Sequence, residues 1–91
     1  MILTINLTHE EKCELLRGAG YMVGVETHTN AYSAYHNDVD FSDVEVFSVR
    51  SMLTGEPALK PPQRNLGQND WLDYAVKQLI ETRLKMLLLQ R

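Results

Sequence analysis

The last twenty-odd residues constrain the fold more than any other stretch. In "DWLDYAVKQLIETRLKMLLL" (70–89), Leu72, Ala75, Val76, Leu79, Ile80, Leu84 and Leu87 recur at helical spacing and form one apolar stripe. Asn69 or Asp70 stands where an N-cap is needed, Asp73 falls in the first turn, and Lys85 and Arg91 lie near the other end. Acids at the start and bases at the end suit the helix dipole. The sequence therefore predicts a long amphipathic helix that must lie on an apolar surface supplied by the rest of the chain. Its last turn breaks the pattern. At about 100° per residue, Leu88 points about 160° and Leu89 about 260° away from Leu72. No single sheet surface covers residues spread so widely, and each leucine left in water forgoes roughly 1.5–3 kcal/mol of burial. Leu84, Leu87, Leu88 and Leu89 are thus expected to form an interface, in a homo-oligomer or against another protein. Arg83 is the odd residue of the stripe, falling about 20° from Leu72. A charge there must snorkel, meet an acid such as Glu26, Glu45 or one on a second copy, or anchor a ligand.

The surface under that helix has to come from a short chain. Ninety-one residues make one small domain, 1–91, with a thin core. "ILTINL" (2–7) is apolar and β-branched, with Leu3, Ile5 and Leu7 on one face of a strand. "THEE" (8–11) follows as a capping box, in which Thr8 accepts from the backbone of Glu11 and the Glu11 carboxylate reaches back. That helix is expected to run to about Arg17 and to end at "GAG" (18–20), where glycine can adopt a left-handed C-cap. "YMVGVETH" (21–28) reads as a strand. "DVEVFSVR" (43–50) reads as an interior strand, being apolar on both faces. "NAYSAYHND" between them alternates weakly and suggests a short extra strand across a hairpin. Residues 51–69 hold all three prolines and read as a long loop. The expected architecture is α+β, a three- or four-stranded mixed sheet packed by a short N-terminal helix and a long C-terminal helix. A right-handed crossover would make 2–7 and 21–28 parallel. Antiparallel pairing of 2–7 with 43–50 is the alternative.

An apolar fraction of 44% with 23% charged residues is that of a globular chain. The single cysteine allows no internal disulfide and fits a reducing compartment. The opening "MILTINLTHEEK" has no basic region ahead of an apolar run, and "MLLL" is far short of the ~20 residues a membrane span needs. A cytoplasmic protein with no membrane contact is expected. The net charge of −3 conceals a split: residues 1–45 carry eight acids and two bases, residues 46–91 four acids and seven bases. Two copies could pair across that division, and so could the two halves of one domain. An acidic chain whose basic loop has no interleaved aromatic does not suggest nucleic-acid binding.

Several constellations invite chemistry. "THTNAYSAYHNDVDFSD" (27–43) brings His28 and His36 near Asp38, Asp40 and Asp43, and imidazole–carboxylate sets suit zinc, manganese or iron. No recognised ligand spacing appears, and a calcium loop's glycine and glutamate are missing, so a polar loop without metal is expected, with His28, His36 and Asp38 as the weak candidates. His9 and Cys13 share a helical face, but no orienting group or oxyanion hole accompanies them. "GAGYMVG" leads from helix to strand, the reverse of a phosphate-binding loop. Lys60, Arg64 and Arg50 could make a small basic patch. No catalytic constellation and no cofactor site emerges. Two function classes remain: a non-catalytic interaction module that self-associates through its C-terminal helix, or a small metal- or ligand-binding protein using His28, His36 and nearby aspartates.

Overall fold

A computed structural model describes residues 6–33, 39–63 and 65–89 of the chain. The described elements are α1 (His9–Gly18), β1 (Tyr21–Ser33), β2 (Val39–Ser51) and α2 (Asp70–Leu89). The class is α+β, as expected.

α1 starts at the capping box. Thr8 is extended (φ −70, ψ 164) and its hydroxyl accepts from the Glu11 amide at 3.2 Å, while the Glu11 carboxylate accepts from the Thr8 amide at 3.0 Å. The Thr8 amide, followed by the Thr8 hydroxyl, holds the Glu11 carboxyl below the usual glutamate range. The helix closes after Gly18, and Gly20 makes the turn into β1 at φ +95, a conformation that costs other residues strain.

β1 and β2 pair antiparallel without a break from Tyr21↔Ser51 to Ser33↔Val39. This corrects the expected sheet: the described residues form two antiparallel strands, not a mixed sheet of three or four. The reason lies in residues 29–33, which follow the expected strand 21–28 and whose Thr, Asn and Ser suggest a turn and a separate short strand. They continue β1 instead, because each gains a cross-strand partner, and the Thr29 hydroxyl donates to Asp43 at 2.8 Å. In "ILTINL", residues 2–5 lie outside the described residues, and 6–7 are not strand.

A loop, not a third strand, covers the outer edge of β2. Phe47 donates its amide to Gln68 at 3.1 Å, Val49 accepts from Ala58 at 2.9 Å, and Ser51 donates to Glu56 at 2.9 Å. β2 is therefore enclosed on both faces: Val46 and Ser48 are buried on one and Val49 on the other, as the interior reading of 43–50 required. Leu16 of α1, Leu66 of the loop, and Trp71, Leu72, Ala75 and Val76 of α2 complete the core. Trp71 is the largest side chain in it, and its indole donates to the Ala58 carbonyl at 2.9 Å, so its one polar atom is satisfied. Lys12 ties α1 to α2 through Asp73 at 2.6 Å. Asp70 braces the loop by accepting from the Gly67 amide at 2.6 Å and from the Gln63 amide group at 2.8 Å.

Candidate functional site

Two surfaces carry whatever chemistry this fold offers. The first is a polar cluster on the sheet face formed by the even-numbered residues of both strands. Arg50 (β2) donates Nε to Glu26 (β1) at 2.9 Å, donates Nη2 to the same carboxylate oxygen, and gives Nη1 to the Gly55 carbonyl at 3.1 Å. The other Glu26 oxygen lies 3.2 Å from His28 Nε2. The hydrogen bonds from Arg50 hold the Glu26 carboxyl below the usual glutamate range against the opposing effect of burial, and His28 adds to the lowering. The His28 ring stands edge-on to Trp71 with centroids 6.2 Å apart, and Lys60 lies over the Trp71 ring at 5.4 Å. Of the residues suggested as a small basic patch, Arg50 is tied to Glu26 and Lys60, itself exposed, lies over Trp71, while Arg64 lies outside the described residues.

The second surface is the end of α2. Its first half is buried through Trp71, Leu72, Ala75 and Val76, and Leu79 and Ile80 pack half-buried against the core. Beyond Ile80 the helix runs past the core: of residues 81–89 all are exposed except the half-buried Leu84. Met86, Leu87, Leu88 and Leu89 are 56%, 63%, 65% and 84% exposed. The apolar stripe therefore ends its packing sooner than its periodicity suggested, and Leu87 is not inward-facing. Arg83 falls beyond the covered part as well. It is exposed and forms no ion pair among the described residues, and Glu26, one acid it was expected to meet, is held by Arg50.

Two of the metal candidates have a place in the ladder. His28 faces Val44 across the ladder and Asp40 faces Tyr32, while His36 and Asp38 lie outside the described residues. No group of three His, Cys, Asp or Glu side chains converges among the described residues. His9 Nε2 and Cys13 Sγ do meet, at 3.5 Å, on the shared face of α1, and the His9 ring packs on Phe47 with centroids 4.5 Å apart. The histidine itself is exposed and Cys13 is half-buried. An open depression between Ala19, Gly20, Tyr21, Ser51, Met52 and Leu53 has no charged group in its lining.

The Glu26–Arg50 pair was the connection that residue patterns missed. The two residues are 24 positions apart, and only the register, which places even-numbered residues of both strands on one face, brings them together. Among the described residues no helix is long and apolar enough to cross a membrane. No family model, curated protein or solved structure matches the chain.

Proposed function

We propose that the protein is a non-catalytic, cytoplasmic interaction module that self-associates through the projecting end of α2, packing Leu84, Leu87, Leu88 and Leu89 against a second copy. The observation that carries this reading is four consecutive apolar side chains, Met86 to Leu89, each more than half exposed on a regular helix. Single exposed leucines are ordinary, but a helix end apolar on all sides is a contiguous patch, and such patches mark interaction sites. Charge favours a second copy as the occupant. Arg83 and Lys85 are exposed beside the leucines, and Asp43 and Glu45 are exposed on β2, so the end of one α2 and the hairpin of another are complementary. Neither nucleic acid nor a membrane surface enters this reading.

Light scattering on the purified protein and on the Leu88→Lys/Leu89→Lys variant tests it. The expected result is a parent of at least dimer mass at tens of micromolar and a variant of lower mass with unchanged circular dichroism. A monomeric parent, or a variant that keeps the parent's mass, overturns it.

A further inference from the structure

The two edges of the sheet are treated in opposite ways. The amides of Phe47 and Ser51 and the carbonyl of Val49 point away from β1 and are taken up by the 56–68 loop. Because main-chain groups alternate along a strand, Val46, Ser48 and Arg50 must point toward β1, and their register partners Glu26, Gly24 and Met22 point back. The Met52 amide, bonded to the Gly20 carbonyl, continues the same parity. It follows that the odd-numbered residues of β1, among them Val23, Val25, Thr27 and Thr29, turn their amides and carbonyls to the open side. No backbone partner meets them there among the described residues. Beyond Val23, which is half-buried against the core, the surroundings are open too: Val25 is 60% exposed, and Gly24, Thr27 and Thr29 are exposed.

Proteins ordinarily blunt such an edge with lysine, proline, a bulge or a covering segment. "YMVGVETHT" (21–29) has no lysine, arginine or proline, and the β1–β2 register is continuous with no bulge.

We propose that β1 pairs along this edge with β1 of a second copy, antiparallel about a two-fold axis at Thr27, so that two hairpins form one four-stranded sheet. The choice of partner and register rests on self-complementarity. Thr27 is the midpoint of Tyr21–Ser33, so this axis alone pairs the strand over its whole length. Odd-numbered residues meet odd-numbered residues, which matches donors to acceptors. Thr27 faces the partner's Thr27, Val25 faces the partner's Thr29, and Glu26 faces the partner's His28 at both symmetric positions. Such β-branched pairs favour cross-strand contact, and this register sets no two acids opposite each other. Moving the axis one residue, to Glu26, would instead set two carboxylates opposite each other. This inference deepens the self-association reading by naming a second surface, and it shares with that reading only the identity of the partner.

The test combines hydrogen exchange with one variant that spares the hairpin. Val25→Pro removes an amide that points to the open edge, so no β1–β2 bond is lost, and edge strands tolerate proline. In the parent, exchange at the Val23, Val25 and Thr27 amides should slow at least ten-fold between dilute and concentrated protein. Val25→Pro should halve the solution mass and retain the parent's circular dichroism. Leu88→Lys/Leu89→Lys should keep the concentration-dependent protection, which separates edge pairing from association through α2. Edge amides that exchange as open strand at every concentration overturn the proposal. So does protection independent of concentration, which would place the occupant within the chain, or protection that vanishes with the two leucines.

Discussion

The two halves of α2 have the same helical chemistry and opposite fates. Trp71, Leu72, Ala75 and Val76 lie almost wholly out of water, whereas Met86, Leu87, Leu88 and Leu89 lie mostly in it. Nothing intrinsic to the helix divides them, since the second half is the more continuously apolar. The division comes from the size of what lies underneath. A sheet of two strands, one short helix and a loop covers about three turns of α2 and then stops. Periodicity in a sequence reports which face of a helix is apolar; how much of its length is covered depends on the rest of the chain, and a small domain has little to give.

Truncating the buried half should show the largest effect. Trp71→Ala removes the largest core side chain and leaves the Ala58 carbonyl without its donor, so a loss of about 3–5 kcal/mol is expected. Denaturant unfolding followed by far-UV circular dichroism measures it. A loss below about 1 kcal/mol would mean that the indole is not the centre of the core and that the two halves differ less than their exposures imply.

The helix that flanks the buried half should matter next. Thr8→Ala deletes the hydroxyl that accepts from the Glu11 amide, and α1 supplies both Leu16 and the Lys12–Asp73 tie to the first half of α2. A destabilisation of about 1 kcal/mol is expected. An unchanged unfolding midpoint would show that α1 does not need its cap to hold α2.

The Glu26–Arg50 pair should give a similar effect with a pH signature. Folding lowers the Glu26 pKa, so the unfolded chain binds the extra proton and acid favours unfolding. The contribution is fully present above the ordinary glutamate pKa of about 4.3 and is lost as pH falls through the lower folded value. Glu26→Gln should reduce stability by about 1 kcal/mol at neutral pH, a figure kept small because both side chains are partly exposed. It should also flatten the stability profile below pH 5. Parallel profiles for parent and variant would show that the pair does not report on folding.

These effects also separate what the residues disclosed from what they withheld. The capping box, the turn at Gly20 and the enclosure of 43–50 are written in local chemistry, and each was legible. Trp71 escaped because it lies outside the stripe that begins at Leu72; its i, i+4 spacing to Ala75 was the available signal. Residues 29–33 depart from the expectation because Thr, Asn and Ser favour turns in isolation but continue a strand when a partner lies alongside. The burial of Leu66 and Pro61 in a stretch read as open loop, and the meeting of Glu26 with Arg50, depend on register and loop path. Those are long-range properties that no window of sequence carries. The end of α2 was legible as an apolar excess, although Leu87 was assigned to the wrong side of its boundary.

The smallest effect should fall on the exposed half. Leu88→Lys/Leu89→Lys replaces side chains that are already 65% and 84% in water, so within one chain there is little burial to lose. Two added cations near the helix C-terminus even suit its dipole, worth a few tenths of a kcal/mol each. Under dilute conditions, where association is absent, the variant should unfold within about 0.5 kcal/mol of the parent. A self-associating parent must behave differently as concentration rises, because binding to the folded state alone stabilises it by mass action. Its thermal midpoint should climb with concentration, and the variant's should climb less. The comparison between the halves of α2 then becomes a measurement: the first half sets the midpoint in dilute solution and the second sets its slope with concentration. A dilute variant less stable by 2 kcal/mol or more would break that division, because it would show the leucines packing within their own chain. A parent and variant with equal slopes would leave the end of α2 without a role in association.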